Sequence, residues 1–139
     1  MTVTLKDIKK AFPKESDCTE LLEHIIWNGR IICPYCPPSA QVYKITIMNG
    51  RYHCNGCNSS FSVTVKTIFA RTRCDLRKWF LSIYLLNIPS KISLRDLGEK
   101  ISTTKDTANL ISDKIRKAKI DTPEMLQKII EEINKRLVK

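Results

Sequence analysis

The chain has 139 residues, 42% of them hydrophobic, with 24 basic and 14 acidic side chains and a net charge of +10. No apolar run reaches the roughly 18 residues a membrane helix needs, so no membrane association is expected. The charge is uneven: residues 31–75 hold five basic and one acidic side chain and residues 76–120 hold ten and four, while both ends balance. A basic middle between neutral ends suits a polyanion such as nucleic acid, although a solvated lysine-rich surface gives the same count.

Leu5 to Phe12 reads as a short helix stopped by Pro13. Asp17 with Glu20 reads as a capping box for a second helix, whose apolar face is Leu21, Leu22, Ile25 and Ile26. Asn28-Gly29 ends it, and Trp27 is expected to pack on the cysteine-bearing segment beyond.

That segment carries the strongest signal in the chain. Cys33-Pro34-Tyr35-Cys36 and Cys54-Asn55-Gly56-Cys57 are two C-x-x-C pairs separated by seventeen residues. A two-residue gap lets both sulfurs of a pair reach one ion, and two pairs supply four tetrahedral ligands for zinc. Disulfides would need an oxidising compartment, and residues 1–14 contain no signal-peptide core. An iron–sulfur cluster also takes four cysteines, but the stretch between the pairs reads as a hairpin. Val42 to Met48 is β-branched and aromatic, Asn49-Gly50 suits a tight turn, and Arg51-Tyr52-His53 returns. Phe61 to Val65 reads as a third strand, giving a three-stranded zinc ribbon over residues 30–70. His53 is expected to point away from the metal. Cys18 and Cys74 are expected to be small buried apolar residues.

Asp75 caps the next helix, with Leu76, Trp79, Phe80, Ile83 and Leu86 on its core face; Asn87 and Pro89 end it. Ser93 caps a short helix bearing Leu94, Leu97 and Ile101. Ser102-Thr103 forms a turn, and Thr104 opens a helix with Ala108, Ile111 and Ile115 inward. Two helices joined by so short a turn read as a helix-turn-helix, and with the preceding helix they make a trihelical unit over residues 71–120. Ser102 occupies the turn position often held by glycine, and Gly98 is small where the helices would cross. The last helix of the unit would expose Lys105, Asp106 and Asn109, with Thr104 at its start, toward a DNA groove. Asp106 can instead stabilise the helix N-terminus. Arg71, Arg73, Arg77, Lys78 and Lys91 are the expected phosphate contacts. Residues 121–139 read as a C-terminal helix. Its seam of Leu126, Ile130, Ile133 and Leu137 can pair two chains into a homodimer or pack on the chain's own helices.

Several of these runs resemble one family. Trp27-Asn28-Gly29-Arg30 before the first cysteine pair carries the likeness, as does Tyr52-His53-Cys54-Asn55-Gly56-Cys57 followed by Phe61-Ser62-Val63. Thr67-Ile68-Phe69, Leu76-Arg77-Lys78-Trp79-Phe80, Ile92-Ser93, Leu97, Lys105-Asp106-Thr107-Ala108 and Ile115-Arg116 continue it. Residues 12–118 are similar to the start of insertion-sequence transposases, in which a zinc ribbon and a helix-turn-helix precede a DDE-type nuclease. Lys66 departs from that pattern, where glycine is usual. The resemblance implies the DNA-binding half of a transposase. The nuclease and its three metal-binding carboxylates are not expected in the residues after Ala118.

The expected protein is therefore small α+β. A three-stranded zinc ribbon stands between an N-terminal helical segment (1–29) and the trihelical unit, followed by the C-terminal helix. It is expected to bind double-stranded DNA inside the cell, with one structural Zn2+ and no catalysis. The location would be cytoplasm or nucleoid in a prokaryote and nucleus in a eukaryote. A transcription regulator unrelated to transposition, or an adaptor that docks through its ribbon, would use the same parts.

Overall fold

A computed structural model describes residues 3–28, 30–37, 40–45, 47, 51–65, 67–70, 74–87 and 92–137. Arg71, Arg73, Lys91, Lys66 and the Asn49-Gly50 turn lie outside the described residues. The chain divides into two compact units, one of residues 16–72 and one of residues 1–15 with 73–139. The segment 1–29 is thus shared between them, although its sequence pattern suggests one piece.

The first unit holds α2 (Glu15–Trp27) and an antiparallel sheet of β1 (Val42–Lys44), β2 (Arg51–Cys54) and β3 (Ser59–Ser62), in the order β1-β2-β3. Asp17, expected to cap α2, lies inside its first turn, because the helix starts two residues earlier. Carboxylates at Glu15 and Asp17 suit that positive end of the helix. Asn28 ends α2 in a left-handed conformation (φ 49°), its N–H bonded to His24 O at 3.0 Å.

Val42 faces Cys54 across the sheet, and Tyr52 faces Phe61. Alternation therefore turns Tyr52 and Cys54 inward and Arg51 and His53 outward, as expected of His53. The third strand is a correction: it pairs from Ser59 to Ser62, not from Phe61 to Val65. Val63 to Val65 turn instead. Val65 N–H bonds Ser62 O at 3.2 Å, and the Ser62 and Thr64 hydroxyls bond each other at 2.8 Å. Local hydroxyl bonds of this kind compete with ladder pairing. Val63 is buried all the same, so its apolar character reports burial in a turn.

Tyr52, Phe61, Cys33 and Cys54 form the core of this unit. Trp27 closes it, edge-on to Tyr52 and Phe61 at ring-centroid distances of 5.2 and 5.9 Å. The Tyr52 hydroxyl donates to the Glu23 carboxylate of α2. Burial first, and Glu23 second, push the phenol above its ordinary pKa. The ring contacts and this hydrogen bond make α2 part of the ribbon rather than a separate helix. Cys18, on the same helix, is buried as expected, whereas Cys74 in the other unit is only partly so.

The second unit contains α1 (Leu5–Ala11), α3 (Leu76–Asn87), α4 (Leu94–Lys100), α5 (Lys105–Asp121) and α6 (Pro123–Leu137). α3 is central; it buries Trp79, Phe80, Leu81 and Ile83 and packs on α1, α5 and α6. Asp75 caps it as expected, accepting from Arg77 N–H at 2.8 Å, while Glu15 accepts from Leu76 N–H at 2.9 Å. Thr4 and Asp7 cap α1 reciprocally. The other end of α1 is held by two arginines. Arg77 donates to Pro13 O at 3.0 Å, and Arg136 donates to Ala11 O at 3.1 Å while lying over the Phe12 ring.

The trihelical unit expected from sequence is thus part of a five-helix body. Leu126, Ile130 and Ile133 are buried within it, together with Ile129. The seam that could have joined two chains is used to hold α6 on α1, α3 and α5. A homodimer through this seam would have to strip α6 from its own core.

Candidate metal centre and nucleic-acid interface

Cys33 and Cys36 flank a turn just before the sheet; Cys54 ends β2, and Cys57 lies in the turn leading to β3. The ladder and the two turns bring all four sulfurs within 4.8 Å of one another. Cys33 and Cys57 are 3.7 Å apart at sulfur, and Cys36 and Cys54 are 3.8 Å apart. A regular tetrahedron with zinc–sulfur bonds of about 2.3 Å has edges of about 3.8 Å. A disulfide needs about 2.05 Å, so none is formed here. The four thiolates suit one structural zinc ion.

The surroundings favour that use. Tyr35 N–H donates to the Cys33 sulfur at 3.4 Å. The hydroxyl and N–H of Ser59 pull the Cys57 thiol down to about 6. Cys36 is pushed up to about 12, chiefly by its contact with Cys57, and burial pushes Cys33 up. Neighbouring thiols resist ionising together, and a dication removes that conflict while releasing their protons. Gly56 leaves room for the cluster. A Cβ there would stand 3.3 Å from Ala40 Cβ, 3.4 Å from Cys36 Sγ and 3.5 Å from Cys54 Sγ. Among the described residues this is the one group of three or more metal-competent side chains, and the carboxylates form no such group.

In the helical unit, α4 and α5 are joined by residues 101–104. Ser102 is left-handed (φ 57°), the conformation glycine adopts at no cost. Thr103 N–H bonds Gly98 O at 2.8 Å, and a Cβ on Gly98 would meet Thr103 O at 3.1 Å. Gly98 is therefore small against the turn itself. Thr104 caps α5, its hydroxyl accepting from Thr107 N–H at 3.2 Å. Ala108, Ile111, Ser112, Ile115 and Ala118 face inward, leaving Lys105, Asp106 and Asn109 exposed together.

The expected phosphate contacts are differently disposed. Arg77 is only 18% exposed and is paired with Asp75 at 2.8 Å besides its bonds to the Phe12 and Pro13 carbonyls just after α1. Lys78 Nζ donates to Ser102 O at 3.1 Å. Both side chains are engaged in holding the unit together. Arg95, Lys100 and Lys117 are exposed cations that the sequence pattern does not single out. Their signal in the sequence is bulk charge alone, since exposure depends on which helix face is buried.

The three-stranded antiparallel sheet with its four clustered cysteines has the build of a zinc ribbon. Residues 13–60 match the family model described as the transposase zinc-ribbon domain. The chain is similar to an uncharacterised protein in the transposable element ISH50 of Halobacterium salinarum (strain ATCC 700922 / JCM 11081 / NRC-1). The two are 31% identical over 99 residues, which are 70% of this chain and 33% of that protein. The match thus spans about a third of the length of this relative. No solved structure matches. No helix among the described residues is long and apolar enough to cross a membrane.

Proposed function

We propose that this protein binds duplex DNA in a sequence-selective way through a helix-turn-helix formed by α4 and α5, and that zinc fixes the ribbon without taking part in chemistry. The observation that carries this reading is the exposed group Lys105, Asp106 and Asn109 on α5, directly after a tight turn. The unit that bears it holds nineteen basic and eleven acidic side chains, net +8. Asn109 can pair with the N6 and N7 edge of adenine, and Lys105 with guanine or a phosphate. Arg95, Lys100 and Lys117 supply phosphate contacts around it. The relationship to transposases supports DNA from a mobile element as the target. In this reading the protein works inside the cell and does not itself catalyse strand transfer.

Selection of a binding site from random duplexes, followed by affinity measurement, tests this. Binding should weaken steeply with salt, because phosphate contacts release counterions. Asn109→Ala should cost about 1–3 kcal/mol on the selected site and little on random duplex. Lys100→Ala and Lys117→Ala should weaken both alike. A folded, zinc-loaded protein that binds no duplex at low salt ends this reading in favour of an adaptor. Selective binding only at promoters far from mobile elements would instead favour an unrelated transcription regulator.

A further inference from the structure

Leu110 stands out in the second turn of α5: a leucine 55% exposed, next to Asn109, on a face otherwise formed by Lys105, Asp106 and Asp113. Each residue advances the helix by about 100°, so Asn109 and Leu110 lie about 130° to either side of the centre of the buried stripe. They flank the outward face, and the early turns of such a helix are the ones that meet base edges. Leu110 is not among the buried residues of α5, which are Ala108, Ile111, Ser112, Ile115 and Ala118. Its methyl groups offer no hydrogen bond. In a major groove, the apolar group available to them is the C5-methyl of thymine.

We propose that Leu110 reads a thymine methyl, so that the recognised DNA contains a thymine within the base pairs spanned by α5. This rests on the duplex-binding reading above and extends it to the base type. The occupant is DNA rather than a protein because the residues around Leu110 are polar and the same unit exposes Arg95, Lys100, Lys105 and Lys117 within an overall net charge of +8. Asn109 beside it suits the adenine edge, so an A·T pair or an adjacent A·T step satisfies both residues.

The test uses the full zinc-loaded chain and a duplex selected from a random pool. Each thymine of that duplex is replaced in turn by deoxyuridine, which removes one methyl and nothing else. Uracil at one position should weaken the wild type by roughly three- to fivefold, the scale of one buried methyl group. Leu110→Ala should bind the thymine and uracil duplexes alike, with its melting temperature nearly unchanged because the side chain is exposed. Wild-type indifference to uracil at every position overturns the inference without touching duplex binding, and requires no variant to fold. A Leu110→Ala protein that still discriminates against uracil overturns it too. A wild type that binds no duplex at all removes the duplex-binding reading and this inference together.

Discussion

Lys78 Nζ, on α3, donates a 3.1 Å hydrogen bond to the carbonyl oxygen of Ser102, the left-handed residue in the turn between α4 and α5. The bond ties the central helix to the turn that sets the angle of α5. Lys78→Met should therefore lower stability by about 1 kcal/mol, the usual worth of such a bond to a partly exposed charge. Ser102→Gly should raise it by roughly 0.5–1 kcal/mol, since a left-handed conformation disfavours any Cβ. Urea denaturation of both variants checks the two signs; a Ser102→Gly protein less stable than wild type would count against strain at the turn.

Arg77 joins the start of α3 to the end of α1. Arg77→Ala should cost about 1–3 kcal/mol, because it removes bonds to the Asp75 carboxylate and to the Phe12 and Pro13 carbonyls together. The expected loss appears in melting curves without any DNA present. Unchanged stability combined with a uniform loss of DNA affinity would return Arg77 to the phosphate contacts.

The same pair predicts an acid response. Arg77 holds the Asp75 carboxyl below its ordinary value of 3.8. A depressed folded pKa stabilises the fold at pH values above the unfolded pKa, and that contribution is lost as pH falls through the folded value. Asp75→Asn should thus be less stable than wild type at pH 7 and lose less stability below about pH 4. Asp7, also depressed by its Thr4 cap, titrates the same way in both proteins and does not affect the difference.

Zinc should be present at one ion per chain. Cys54→Ser or Cys57→Ser, or a strong chelator, should release it and open the ribbon, since so small a sheet cannot be held by its core alone. Trp27 sits on that core, so in a Trp79→Phe background its fluorescence should shift on chelation. Gly56→Val should weaken zinc retention through contacts with Ala40 and Cys36. A metal-free protein with unshifted Trp27 emission would exclude a structural role for the ion.

Ile133 is fully buried on α6. Ile133→Ala should cost about 2–5 kcal/mol by leaving a cavity in the five-helix unit. Sedimentation of the wild type should give a monomer at micromolar concentration, with melting independent of concentration. A dimer that Ile133→Ala dissociates into folded monomers would show that the seam serves a second chain instead.

Features that depend on local spacing and local chemistry are legible in the chain before it folds. Two C-x-x-C pairs around a hairpin predict a four-sulfur site, because the reach of a two-residue gap is fixed by chain geometry. Ser93 and Asp75 declare themselves as caps, because capping is a bond over two or three residues. The turn at Ser102 is legible for the same reason. Tertiary structure decided everything that depends on a distant partner. Arg77 and Lys78 look like phosphate ligands in a basic run, yet the Phe12 and Pro13 carbonyls and the Ser102 turn engage them. The α6 seam has a spacing compatible with a coiled coil, and only the apolar faces of α1, α3 and α5 make it internal. Val63 to Val65 are a local exception: they have strand composition, but hydroxyl and backbone bonds within four residues turn the chain after Ser62. A side chain's type limits what it can bond, and only the folded arrangement chooses among the partners.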